Sequence, residues 1–362
     1  MTGRPLDLIT GSSMLRSSAI LSLAFFLPLP LMAEPLQEAG QTADQTTPIT
    51  QEQAAPAPEK PKQLLLISFD GAHDNALWTK SRDIARRANN AHFTYFLSCT
   101  TLIPRSASKG YQAPGKKAGR SNVGFAPTVE DVTTRLDNLW NAHLEGHEIG
   151  SHVCGHFDGK DWSKADWLSE FSTFRTTLAN AWKANGVGDK EPQGWQDFAA
   201  HGIKGVRAPY LSAPDSLVEA EKAFGFTFDA SLVTKGPALP KQDDSVTRFG
   251  LPLIPEGPQS RRIIGMDYNL FVRHSAGIDN PSRSGEFEER TYAAFKAAFE
   301  DQYNGERIPV QFGFHFVEMN AGAYWRAMER LVTDVCHRTD VACVSYSEAM
   351  DILAKRQAPP RS

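Results

Sequence analysis

Two histidines four residues apart, His152 and His156 in GHEIGSHVCGH, have the spacing that turns both imidazoles one way on a helix or tight helical turn, as a divalent metal requires. Other ionisable residues follow short apolar runs. Asp70 closes QLLLISF, Arg207 opens RAPY after Gly205 and Val206, Asp229 follows Thr227 and Phe228, and His315 ends VQFGF. Carboxylates and imidazoles gathered at one place are the material of general acid and base catalysis. Each residue also has a plainer use alone: Asp70 and Asp229 as turn formers or helix caps, Arg207 as a loop cap, His315 as a core histidine. Their position in chain order is what favours chemistry. His147-Glu148 is not a zincin motif, because the five-residue step to His152 leaves the helical face.

The elements that must hold these residues alternate. Gln63 to Phe69 reads as a buried strand, Leu77 to Ala85 as a helix ending near Asn89-Asn90, and His92 to Leu97 as a second strand. Thr128 to Asp131 resembles a capping box opening a helix that runs through Leu144, and Glu148 to Gly150 ends a third strand. Later strands are expected at 205–206, 227–228, 263–266, 310–314 and 341–344, and helices at 167–184, 214–224, 286–302 and 323–337. Strands separated by helices pair in parallel, which gives an α/β barrel or a doubly wound sheet. In both, chemistry collects at the carboxyl ends of the strands, where the residues above fall.

The chain has 362 residues, 41% hydrophobic and 22% charged, with a net charge of -4. Ala19 to Ala33 is an apolar run flanked by Arg16 and Glu34, short for a membrane span and interrupted by Pro28 and Pro30. It reads as a secretory signal over residues 1–33, with Met14 an alternative start and an uncleaved anchor the other reading. Residues 34–62 are rich in Gln, Thr, Ala, Pro and Glu and form a disordered linker. One domain follows over 63–355, then a tail at 356–362. Residues 1–62 carry four Lys and Arg against six Asp and Glu, leaving a near-neutral remainder of 34 against 36. Near-neutrality argues against nucleic acid as a partner and fits an uncharged glycan better than a polyanion. A periplasmic or secreted protein with no membrane span after signal cleavage is expected.

The ordered motifs resemble those of the polysaccharide deacetylases, the family 4 carbohydrate esterases, over the whole body from Gln63 to about Lys355. The late segments around Met266 to Asn269 and Phe312 to Phe316 are nearest the chitin deacetylase branch. Ser68 to Ala72 (SFDGA) matches part of the first motif, T-F-D-D-G or T-F-D-D-A. His147 to His156 matches the second with Val153 in place of Ser or Thr, Arg207 to Tyr210 is the third unchanged, Asp229 to Ser231 matches the fourth without its tryptophan, and His315 ends the fifth.

The resemblance implies a single-domain α/β fold, a distorted (β/α) barrel, and metal-dependent removal of acetyl groups from chitin-like glycan, peptidoglycan or exopolysaccharide. The implied metal is divalent, zinc first, with cobalt and nickel as alternatives. Asp70 is then the base, His315 the acid, Arg207 the residue orienting Asp70, Asp229 the partner of His315, and the Tyr210 N–H an oxyanion donor. The metal falls to His152 and His156. Gly71 stands where the family has its third ligand, an aspartate. Asp74 is the candidate substitute and His73 a lesser one; alternatively two histidines hold the ion loosely, or the chain binds glycan without hydrolysing it. A small non-sugar amide is a rival substrate.

Cys336 and Cys343 have a spacing that allows a disulfide or two buried thiols. Cys154 is set aside as a metal ligand, and Cys99 has no evident partner. The loop 100–127, with Tyr111, Lys116, Lys117 and Arg120, and the segment 158–167 with its tryptophans carry side chains suited to sugar rings, as do Tyr268, Asn269 and Arg273.

Overall fold

The computed structural model describes residues 60–357, which fall within one compact unit. The expected signal sequence, nearly all of the expected linker and the end of the expected tail lie outside the described residues. Among these, no helix is long and apolar enough to cross a membrane.

The first half of the chain winds β1 (Gln63–Gly71), α1 (Asn75–Arg87), β2 (Thr94–Leu97), α2 (Val129–Leu144), β3 (Glu148–Ser151), α3 (Lys164–Ala184), a three-residue α4 (Trp195–Asp197) and β4 (Gly205–Val206). The second half adds α5 (Asp215–Phe224), β5 (Phe228–Thr234), β6 (Lys241–Asp243), β7 (Val246–Glu256), β8 (Arg261–Ile264), α6 (Asp267–Ser275), α7 (Ser284–Asn304), β9 (Val310–His315), α8 (Met319–Val335), β10 (Val341–Cys343) and α9 (Tyr346–Gln357). Strands β1 to β5 run in sequence, with β9 and β10 both parallel to β1, and β7 parallel to β5. The sheet curls towards closure where Gly313 of β9 bonds to Gly265 and bridges Met266. This is the expected distorted (β/α) barrel.

Every residue of β1 is buried, as a run of apolar residues covered on both faces requires. Phe69 packs among Phe93, Tyr95, Phe314, Phe316 and Trp325, and so locks the strand end that presents Asp70. Asp74 and Thr128 cap α1 and α2 through Leu77 N–H and Asp131 N–H.

Strands β6 and β7 were not expected, β8 lies two residues ahead of the strand expected at 263–266, and β6 and β8 flank β7 antiparallel. Pro252 and Pro255 inside β7 mask its strand character, since proline disfavours an interior strand. The tryptophan at 167 and Tyr111 are buried structural residues rather than sugar platforms. Both cysteine pairs are disulfides. Cys336–Cys343 closes α8 onto β10, and Cys99, for which no partner was foreseen, is bonded to Cys154.

Candidate active site

Asp70 and His315 end neighbouring strands and are direct register partners, with the Phe316 N–H donating to the Asp70 carbonyl. Arg207, fully buried after β4, donates through Nη1 to Asp70 Oδ1 at 2.8 Å and to Ser68 Oγ at 2.8 Å. Its Nη2 donates to Tyr346 and its Nε to the Ala230 carbonyl, while the guanidinium lies over Phe96 at 4.4 Å. With every nitrogen engaged, the fork has one orientation. Burial alone would raise the Asp70 pKa, but Arg207, His152 and His315 outweigh it and hold the carboxyl below its usual range.

His315 meets the opposite influence. Burial alone would lower its pKa, but Asp267 raises it above the ordinary imidazole value. Asp267 Oδ1 lies 2.7 Å from Nδ1, and Oδ2 accepts the His315 backbone N–H at 2.8 Å. The expectation that Asp229 fills this role is corrected. Asp229 is buried between the Ser231 N–H and Arg248 Nε, at 2.8 and 3.0 Å, on the strand that supports Arg207. Asp267 follows directly on the short apolar run Ile263 to Met266. Its place after an apolar run is that of Asp70 and His315, whereas Asp229-Ala-Ser231 matches a motif by residue type alone.

His152 and His156 come together with ring centroids 4.9 Å apart, on an irregular turn instead of a helical one. His152 Nδ1–H donates to the Arg207 carbonyl at 2.6 Å, which fixes its tautomer, and burial lowers its pKa to about 3. Its Nε2 is buried with no hydrogen-bond partner. A neutral imidazole anchored by a carbonyl with a bare second nitrogen is the state of a metal ligand. The pair fits an ion held by two imidazoles.

The three-ligand centre does not form. Gly71 offers no side chain and has φ +89°, a left-handed conformation that side-chain-bearing residues rarely adopt. Asp74, the candidate substitute, stands exposed at the start of α1, where its Oδ1 accepts from the Leu77 N–H. Among the described residues no three His, Cys, Asp or Glu are grouped to hold a metal ion. Cys154 is a disulfide partner and unavailable, and His147 and Glu148 are tied to Phe93 and Thr94.

Five non-glycine residues of positive φ surround the centre: Ala72, Val153, His156, Tyr210 and Leu211. Strained backbone of this kind gathers at functional sites. Tyr210 projects its ring into solvent, 60% exposed and 5.0 Å from His156, and Tyr268 does so 5.9 Å from His315.

The same architecture occurs in the crystal structure of a probable polysaccharide deacetylase from Pseudomonas aeruginosa PAO1, at 12% identity and a TM-score of 0.50, covering 81% of this chain and 91% of that one. The chain has the polysaccharide deacetylase fold. Other solved structures with this deacetylase fold include peptidoglycan deacetylase PdaC from Bacillus subtilis (12% identity, 82% and 94% covered, TM-score 0.41). The Xyl-CE4 domain of a xylanase from the hindgut metagenome of Trinervitermes trinervoides also matches (12%, 83% and 94%, 0.43). No family model and no curated protein sequence matches the chain.

Proposed function

We propose that the chain is an exported hydrolase that removes acetyl groups from an acetylated glycan. One observation carries this reading: on neighbouring strands a carboxylate paired with Arg207, which holds its pKa down, stands opposite an imidazole paired with Asp267, which raises its pKa. Environments that push two titratable groups apart in this way assign base and acid.

Asp70 accepts the proton of the attacking water through Oδ2, the oxygen outside the Arg207 contact. His315 Nε2 delivers a proton to the leaving amine or alkoxide, with Asp267 holding the imidazolium. The Tyr210 N–H, on the strained RAPY turn, is assigned to the oxyanion. His152 and His156 would hold a divalent cation, zinc foremost, and a bound cation polarises the acyl carbonyl and lowers the pKa of water.

A polymeric substrate is supported by the surface. One cavity lies between His73, Asp74 and Phe316, a second shares His73 and Asp74 with it and reaches Phe125, and a third shares Phe125. The three share lining residues from one to the next, and Tyr210 and Tyr268 present exposed rings beside His156 and His315. Two disulfides support export to an oxidising compartment. A second reading, glycan binding without turnover, is favoured by Gly71 and by the lack, among the described residues, of a third protein ligand.

Acetate release from a panel of acetylated glycans, with and without chelator, tests both. Release abolished by Asp70→Asn and by His315→Gln is expected. Release that survives chelation would remove the cation from the mechanism, and none from any glycan would leave the binder.

A further inference from the structure

Between Asp83 and Glu130 the chain contains no acidic residue and seven cations, Arg86, Arg87, Arg105, Lys109, Lys116, Lys117 and Arg120. The net charge conceals this segregation. The last three line a single cavity of about 580 Å³ together with Phe125 and Phe157, and no carboxylate is among its lining residues. Among the described residues none of the three forms an ion pair, and Lys116 lies over the Phe157 ring at 5.2 Å. Asp158, the acid next to Phe157 in the chain, accepts instead from Ser212 and the Lys160 amide.

This loop is built onto the site. Asn122 Nδ2 donates to the His156 carbonyl at 2.9 Å and to the Tyr210 hydroxyl at 3.3 Å, and the Asn122 N–H donates to the Gly155 carbonyl. The loop is braced from below by Tyr111, whose hydroxyl donates to the buried Glu170 and whose carbonyl accepts from Gly119. Like charges held together on a braced loop repel one another until an anion lies among them. Phe125 and Phe157 supply apolar faces beside them.

Resting on the reading of the centre as a glycan deacetylase site, we propose that the basic cavity is a subsite for a sugar carboxylate. The substrate is then an acetylated glycan whose neighbouring residues carry uronic or other carboxyl groups. The expectation of an uncharged glycan, drawn from the near-neutral total, is replaced by this one.

The test is isothermal titration of the full chain at low salt with a hyaluronan hexasaccharide, which alternates N-acetylglucosamine with glucuronate, and with its carboxyl-reduced counterpart. Binding is read without turnover, so a chain that releases no acetate still decides the point. The native chain should bind the carboxylated form roughly tenfold or more tighter, a preference that shrinks as salt rises. The ratio should fall towards one in Lys116→Ala/Lys117→Ala/Arg120→Ala, and part of the way in Lys117→Glu, both confined to exposed side chains. Equal binding of the two sugars by the native chain, or an unchanged ratio in the triple variant, would overturn the subsite.

Discussion

Asp267 grips His315 twice, one carboxylate oxygen on the ring Nδ1 and the other on the backbone N–H of the same residue. The double contact fixes both the position and the charge of the imidazole. Asp267→Asn keeps the shape and removes the charge that raises the His315 pKa. The alkaline limb of kcat/KM should move to lower pH, with kcat reduced by about 10²-fold or more. Asp229→Asn should leave that limb in place, and pH profiles of acetate release on both variants separate the two carboxylates.

Arg207 and Asp70 form a buried pair, so removing the cation strands a charge. Arg207→Ala should cost about 3–5 kcal/mol in urea unfolding. Adding Asp70→Asn should recover part of that loss, giving a clear coupling energy in the double-mutant cycle.

Restoring the aspartate of the first motif should not restore a three-ligand centre. At φ +89° a side chain at position 71 is strained, and Gly71→Asp should cost about 1 kcal/mol or more. Zinc affinity by competition with a chromogenic chelator should rise by less than tenfold. A rise of several orders of magnitude would show that the loop adapts.

The two disulfides should differ in worth. Cys99–Cys154 spans 55 residues and Cys336–Cys343 spans seven, so chain-entropy arguments give about 4 and about 2.5 kcal/mol. Cys154 also lies between His152 and His156, and Cys99→Ser/Cys154→Ser should lower activity as well as stability. Thermal melts with acetate-release assays check both.

Glu170 is buried beneath the same turn, and burial raises its pKa to about 7. The folded state therefore holds its proton more tightly than the unfolded chain. Stability from this group is full below about pH 4.3 and is lost as pH rises through 7, a decline on the order of 3 kcal/mol. Glu170→Gln should flatten that decline in urea unfolding between pH 5 and 8.

Much of this centre was legible because short apolar runs ending in Asp70, Arg207 and His315 can do little else than place those residues at strand ends. Asp267 obeyed the same rule after Ile263 to Met266 yet was overshadowed by Asp229, whose short motif names a residue type without its partner. The Cys99–Cys154 bond was hidden because 55 residues separate cysteines that the curl of β2 against β3 brings together. The left-handed Gly71 could be read as a missing ligand, but not as a backbone that refuses one. The basic cavity vanished into a balanced total because charge sums carry no position.

The pairing of Asp70 with His315 joins the first strand of the body to the ninth. Arg207 is likewise steadied by Tyr346, near the end of the folded region. A chain emerging from a ribosome or a translocation pore therefore has no acid opposite its base until nearly all of it has arrived. Contacts so distant in sequence form late and slow the folding of the whole. Partly delivered chains and C-terminal truncations before β9 then lack the pair altogether, so assembly itself times the completion of the centre.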